Sequence, residues 1–209
     1  MSKNTVVDFY FDVACPFAWA TSRWIREVQN VRDIEVHWKI ISLGVINEGR
    51  ELPAGYRESV DRTWNAMRVV AATQELAPDK VGELYTAIGT RFHDQHVDTA
   101  DEATRRGQVA DAVAEVGVDQ AVMEAWDDAS YDEELHRSTQ EAQDLVGSDV
   151  GTPVVALNGV GFFGPVITRV PKGELAGELF DAAVTLGNYP HFFELKRSRT
   201  EDPDSTAQG

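Results

Sequence analysis

The first forty residues carry a pattern that few topologies satisfy. Thr5-Val6-Val7-Asp8-Phe9-Tyr10-Phe11 is a run of β-branched and aromatic residues, which predicts a strand buried on most of both faces. From Pro16 to about Val31 the pattern changes, with Phe17, Trp24 and Val28 at helical spacing, Ile25 beside Trp24, and Arg23, Arg26 and Glu27 between them. Ile34-Glu35-Val36-His37-Trp38-Lys39-Ile40 then alternates apolar and polar, as a half-exposed strand does. Strand, helix and strand with short joints predict a βαβ unit, whose two strands run parallel with a right-handed crossover.

Beyond the turn-rich stretch Asn47 to Pro53, helical patterns are expected near Arg57 to Gln74, Lys80 to Phe92, Asp101 to Val116, Asp119 to Asp128 and Tyr131 to Val146. Pro78, Gly117 and Gly147 separate them, and Asp119 and Asp132 are suited to cap the helices that follow. So many helices between strands predict an inserted helical subdomain. Pro153-Val154-Val155-Ala156-Leu157 and Val160-Gly161-Phe162-Phe163 read as two strands joined by the Asn158-Gly159 turn, and a last helix is expected from about Lys172 to Leu186. The polar stretch Thr200 to Gly209 is expected to be disordered.

Charge and cysteine count narrow the chemistry. With 19 Lys and Arg against 35 Asp and Glu the net charge is −16, which repels a phosphate backbone and argues against a nucleic-acid binder. No apolar run approaches the ~20 residues of a membrane span. Met1-Ser2-Lys3-Asn4-Thr5 leads into a stretch broken by Asp8 and Asp12 and not into a signal-peptide core, so the expectation is a soluble, cytoplasmic protein. The single cysteine, Cys15, cannot close a disulfide within one chain, so any sulfur chemistry passes through a second molecule.

Cys15 falls between the end of a strand and Pro16, a residue suited to the first position of a helix. Unpaired amides and the positive end of the helix dipole favour thiolate there, while a nearby Asp12 charge opposes it; the expected direction of the thiol pKa is downward. A small buried hydrophobe is the competing reading of a free cysteine. Far along the chain, Thr152-Pro153 stands at a strand start, where proline is tolerated and a cis bond is possible.

The order strand, Cys15-Pro16-Phe17-Ala18, helix, strand, helical insertion, Thr152-Pro153, hairpin, helix resembles the DsbA-like branch of the thioredoxin superfamily over nearly the whole chain. Phe9 to Trp19, Thr21 to Ile25, Gly151-Thr152-Pro153, Asn158 to Pro165 and Tyr189 to Arg197 resemble the mycothiol-dependent reductases, whose best-known members activate nitroaromatic prodrugs. The resemblance implies an α/β, thioredoxin-like fold (βαβ plus ββα) with residues 1–46 and 150–199 in the thioredoxin-like domain and 47–149 in the helical insertion. It also implies a cytosolic thiol-disulfide oxidoreductase with nitroreductase activity on the side. The departure from the family is Ala18, where the second cysteine of the redox pair usually stands, and Phe17 replaces a common Trp.

Without a resolving thiol, a mixed disulfide on Cys15 needs an external one. Mycothiol, a small sugar-linked thiol of certain bacteria, is the co-substrate the resemblance implies, in a glutaredoxin-like monothiol cycle acting on mycothiolated proteins or small disulfides. Pro16, Phe17, Ala18, Thr152 and cis Pro153 then form the thiolate and substrate clamp, and Asp12, Asn47, Tyr56, Trp64 and His93 the pocket around it. Read alone, Tyr56 and Trp64 are packing residues, and Asp12 is a cap, a solvated strand end or a proton shuttle. His93, His96 and Asp98 read as solvated polar residues and not as a metal site; no metal and no nucleotide is expected. His37 belongs to a polar strand face, and Lys196, Arg197 and Arg199 suit a docked C-terminal segment or an anion contact. A homodimer is left open.

Two other classes compete. Kappa-class glutathione transferases and hydroxychromene carboxylate isomerases share the DsbA-like fold, but typically carry Ser at the position of Cys15. A redox-inactive thioredoxin-fold binding module fits the missing second cysteine.

Overall fold

The computed structural model of the protein describes residues 5–207. Strand β1 (Thr5–Phe11) leads through a turn into helix α1 (Pro16–Val28) and back into β2 (Ile34–Ile40), which pairs with β1 in parallel from Thr5 against Ile34 to Phe11 against Ile40. Helices α2 (Leu43–Ile46), α3 (Ala54–Asp61), α4 (Thr63–Leu76), α5 (Val81–Gly89), α6 (Glu102–Glu115) and α7 (Asp132–Val146) separate β2 from β3 (Val154–Leu157). Strand β4 (Val160–Phe163) and helix α8 (Gly173–Gly187) complete the order, and the sheet runs β2-β1-β3-β4 with the last two pairings antiparallel.

The alternation of β1 decides how the two faces are covered. Val7, Phe9 and Phe11 enter the larger core, in which α1 packs on α8 and the insertion packs from the side. There the Phe11 ring stacks on Tyr85 of α5 at 3.8 Å between centroids, and Trp24 Nε1 donates to the Ala176 carbonyl at 3.0 Å. Tyr10 enters a second, smaller core with Ile41, Ile46, Ala142 and Val154, closed by α7. The polar links of α7 keep it on the sheet: Ser138 Oγ donates to the Ile40 carbonyl at 2.6 Å, and Thr139 Oγ1 accepts from the Ser42 amide at 2.9 Å. Two glycines serve close geometry. Asn158 and Gly159 both have positive φ, 51° and 86°, as the two-residue hairpin requires, and a Cβ on Gly89 would lie 2.2 Å from the Trp19 ring.

Several local expectations are corrected. The helical pattern of residues 57–74 breaks at Arg62 into α3 and α4. Residues 120–127 form a 3-10 segment, and α5 runs on into one wide turn at Thr90–Asp94. Asp132 is not the cap of α7; it lies in the first turn and pairs with Arg68 at 2.6 Å. The stretch expected to be disordered is docked as far as the structure describes it. Glu201 pairs with Arg169 at 3.0 Å, the Asp204 amide donates to the Thr168 carbonyl at 2.8 Å, and Ser205 reaches Trp19 of α1. Its polar residues meet specific partners, which a compositional argument does not see. Gln208, Gly209 and Met1 to Asn4 lie outside the described residues.

Candidate active site

Cys15 is the N-cap of α1, with extended backbone, and Pro16 occupies the first turn where its missing N–H leaves nothing unpaired. The sulfur takes the role of a capping oxygen: it accepts from the Ala18 amide at 3.4 Å. On its other side it donates to the Thr152 carbonyl at 3.4 Å, and Thr152–Pro153 is a cis peptide. The Gly164 amide donates to the Pro153 carbonyl at 2.8 Å, and the Thr21 hydroxyl of α1 donates to the Pro165 carbonyl at 2.8 Å, so the β3–β4 hairpin and the loop after it are tied to the thiol-bearing helix.

Thiolate activation at rest is not what the geometry produces. Cys15 is only 6% exposed, and burial pushes its thiol up to about 12. The amides of Ala18 and Phe17 pull down and the buried Asp12 pushes up, so the helix start does not overcome the loss of solvent. The resting group is a thiol with an acceptor for its proton. Arg199, whose guanidinium lies 4.5 Å from the Phe17 ring centroid, pulls the thiol pKa down from the docked C-terminal segment.

Asp12 is fully buried and not an exposed strand end. Its two carboxylate oxygens accept from the Ala14 amide at 2.9 Å and the Leu43 amide at 2.8 Å, and its carbonyl accepts from the Cys15 amide at 3.1 Å. It therefore fixes the turn that carries the cysteine to the start of α2. Burial raises its carboxyl to about 6 against these two bonds.

Of the four pocket residues expected from the insertion, His93 is brought to the turn before Cys15: its Nε2 donates to the Val13 carbonyl at 2.8 Å, and burial holds its pKa below the usual value. Asn47 donates from Nδ2 to the Leu43 carbonyl at 2.9 Å at the end of α2. Tyr56 is half exposed on α3, and Trp64 of α4 packs against Gly44 of α2 and near His136. His37 is on the surface between Asp8 and Glu35, which raise its pKa. Among the described residues no three His, Cys, Asp or Glu side chains gather in a metal-binding group.

Other residues of the neighbourhood escaped the sequence reading. Met67 Sδ accepts from the Val13 amide at 3.4 Å, and Trp19 Nε1 donates to Asp94 at 2.8 Å and to Ser205 at 3.0 Å while Asp94 and Ser205 bond each other. Gly164–Pro165 is a second cis peptide, for which the Gly-Pro pair was the only available signal. No helix among the described residues is long and apolar enough to cross a membrane.

The fold is found in solved proteins. A probable DsbA oxidoreductase from Streptomyces coelicolor superposes with a TM-score of 0.57 at 18% identity, covering 98% of this chain and 99% of that one. The oxidoreductase DsbA from Xylella fastidiosa gives a TM-score of 0.53 at 16% identity, covering 88% and 86%. An uncharacterized protein of Mycobacterium tuberculosis, Rv2286c, is 32% identical over 201 residues, which are 94% of this chain and 83% of that protein. The pattern of the family described as mycothiol-dependent nitroreductase Rv2466c matches residues 14–197, which include Cys15, the insertion and Thr152–Pro153, and the chain belongs to this Rv2466c-like family.

Proposed function

We propose that the protein is a cytosolic thiol-disulfide oxidoreductase that uses mycothiol as co-substrate and works with one protein thiol. The observation that carries this reading is the placement of Cys15, the cap of α1, against the Thr152 carbonyl, with Ala18 at the helix position where a second cysteine would resolve it. The family description supplies mycothiol as the external thiol.

In the cycle, the Cys15 sulfur loses its proton as a mycothiolated protein or small disulfide approaches, and attacks the mycothiol sulfur. The bond between that sulfur and the substrate sulfur breaks, the substrate leaves as a thiolate and takes up a proton, and mycothiol stays on Cys15 as a mixed disulfide. A second mycothiol thiolate attacks the bound mycothiol sulfur, forming mycothiol disulfide and returning the Cys15 thiolate, which regains its proton. The balance is one mixed disulfide plus one mycothiol giving one reduced substrate thiol plus mycothiol disulfide. Nitroaromatics as alternative electron acceptors rest on the family description alone.

Mass spectrometry of the intact protein after incubation with mycothiol disulfide tests the reading. One mycothiol adduct on Cys15, released by added mycothiol and absent in Cys15→Ser, is the expected result. A protein that takes up no mycothiol sinks it. The buried, strongly raised thiol favours a second reading, a redox-inactive binding module, and the same experiment separates the two.

A further inference from the structure

Next to the turn that carries Cys15 is a cavity of about 190 Å³ with an unusual lining for so acidic a protein. Val13 and Ala14 form one wall, and Arg62, His93, Thr99 and Arg105 contribute to the others. Acidic residues outnumber basic ones 35 to 19 in the chain, yet no carboxylate lines this cavity among the described residues.

Arg105 is the informative residue. It is 5% exposed, its Nη1 donates to the Thr99 carbonyl at 2.7 Å, and its Nε has no hydrogen-bond partner among the described residues. No carboxylate forms an ion pair with it within 4 Å there. The Trp126 ring centroid lies 5.6 Å from its guanidinium. The acids that act on it from α6 are Asp101, which is occupied in capping Thr104 at 2.8 Å, and Glu102. Arg62 adds a second positive charge, and its own partner, Glu58 at 3.2 Å, is a largely exposed carboxylate of α3. A buried guanidinium beside a second one, with a free donor and no contacting counter-charge, is an unfavourable arrangement that an oxyanion relieves. The planar donor fork suits a carboxylate or a phosphate. His93 shares the wall; burial lowers its pKa, and its Nε2 is taken by the Val13 carbonyl.

We propose that this cavity is an oxyanion subsite for the substrate: Arg105 and Arg62 take a carboxylate or phosphate borne by a disulfide whose sulfur reacts at Cys15. The reading rests on Cys15 being the reacting thiol, and it names the substrate class as acidic disulfides, selected by a protein whose net charge would otherwise repel them.

Two disulfide reagents test it. Dithiobis(nitrobenzoate) carries a carboxylate on each half, and dithiodipyridine carries none. The ratio of their second-order rate constants toward Cys15 is expected to fall about tenfold in Arg62→Gln, the scale of one hydrogen bond to a charged group, and to fall also in Arg105→Lys, which keeps the charge but lacks the Nε donor and the planar fork. Inorganic phosphate, compared with chloride at equal ionic strength, is expected to slow only the dicarboxylate reagent, and a parallel acetate arm tells carboxylate from phosphate recognition. A ratio that stays constant in both variants, or phosphate acting no differently from chloride, overturns the proposal. Independently of the thiol, phosphate is expected to raise the unfolding temperature of Cys15→Ser above its value in chloride and to do so less in Cys15→Ser carrying Arg62→Gln. No such difference overturns the subsite even where Cys15 proves reactive, whereas its presence with an inert Cys15 overturns the proposed cycle and leaves the anion site standing.

Discussion

The Cys15 sulfur and the Thr152 carbonyl oxygen, 137 residues apart in sequence, lie 3.4 Å apart in the fold. A carbonyl oxygen at that distance accepts a thiol proton and repels a thiolate, so the contact belongs to the resting, protonated state. The Ala18 amide on the other side of the sulfur favours the opposite state. Nucleophilicity in this protein is therefore governed by which neighbour the sulfur keeps. In the proposed cycle, a substrate that takes up the Thr152 carbonyl would leave the amide contact behind and shift the balance toward thiolate.

The first prediction concerns the free enzyme. With the thiol pushed up to about 12 from an ordinary 9.0, the thiolate fraction at pH 8 is smaller in the folded protein than in the unfolded chain. Alkylation by iodoacetamide at pH 8 is expected to be at least about 100-fold slower in the native protein than in urea, since each unit of pKa is a factor of ten in thiolate. The folded state holds this proton more tightly, so the thiol's contribution to stability is present below pH 9 and is lost as pH rises toward 12. A native alkylation midpoint below pH 8 would contradict it.

Asp12→Asn is expected to act on both the thiol and the fold. Removing the charge lowers the Cys15 pKa, because Asp12 pushes it upward, and the alkylation profile should move to lower pH. The carboxyl itself rises from 3.8 to about 6 on folding, so its proton favours the native state and stability falls as pH increases from about 4 through 6. Two units correspond to about 3 kcal/mol, a slope that the asparagine variant should lack in urea titrations at pH 4, 5 and 6. The same variant turns an amide N–H₂ toward the Ala14 or Leu43 amide, a cost of about 1–3 kcal/mol that offsets part of the gain at neutral pH. A thiol profile that does not move contradicts the electrostatic coupling.

Ala18→Cys should restore an internal redox pair. The N-cap and the third helical residue have Cα atoms about 5.5 Å apart in a regular first turn, within the range a disulfide spans. Ala18 is fully buried, so the added sulfur costs about 1–3 kcal/mol in packing, less than the usual stability of a domain. Mild oxidation is expected to remove both thiols at once and to abolish the mycothiol adduct on Cys15. Two thiols that remain free would show that the sulfur does not cap α1.

How much of this is legible in sequence follows the range of the forces involved. The βαβ unit, the Asn158-Gly159 hairpin and the helix start at Pro16 are local, and residue type with spacing states them directly. The depth of Cys15 is not local. Its environment is set by Thr152 across the sheet and by the insertion, so a sequence argument sees the helix dipole and misses the larger desolvation that reverses the sign. Asp12 shows the same limit, since its partner Leu43 lies 31 residues away. Trp64 is a further case: it packs on Gly44, next to the Leu43 amide that Asp12 accepts from, a contact between α4 and α2 that residue type and spacing do not state.

The docked C-terminal segment gives the last prediction. Composition marks residues 200–209 as a disordered tail, but Ser205 stands where Trp19 Nε1 finds its second acceptor, four residues beyond Cys15 on the same helix. Trp19 is 1% exposed, its ring carries the Arg23 guanidinium at 3.9 Å, and it stacks at 5.9 Å on His93, which in turn holds the Val13 carbonyl. The segment therefore braces the helix and the turn that present the thiol. A chain ending at Arg199 loses the Ser205 and Asp204 hydrogen bonds and the Glu201–Arg169 pair, of which the last is half exposed and contributes little. The two hydrogen bonds, that of Ser205 part-buried, contribute about 0.5–1.5 kcal/mol each, so a loss of about 1–2 kcal/mol is expected in urea unfolding, together with a change in Trp fluorescence. Brief protease treatment of the full chain should leave residues 200–207 uncut until global unfolding begins. Immediate removal of that segment with no change in stability or fluorescence would return it to the status of a free tail.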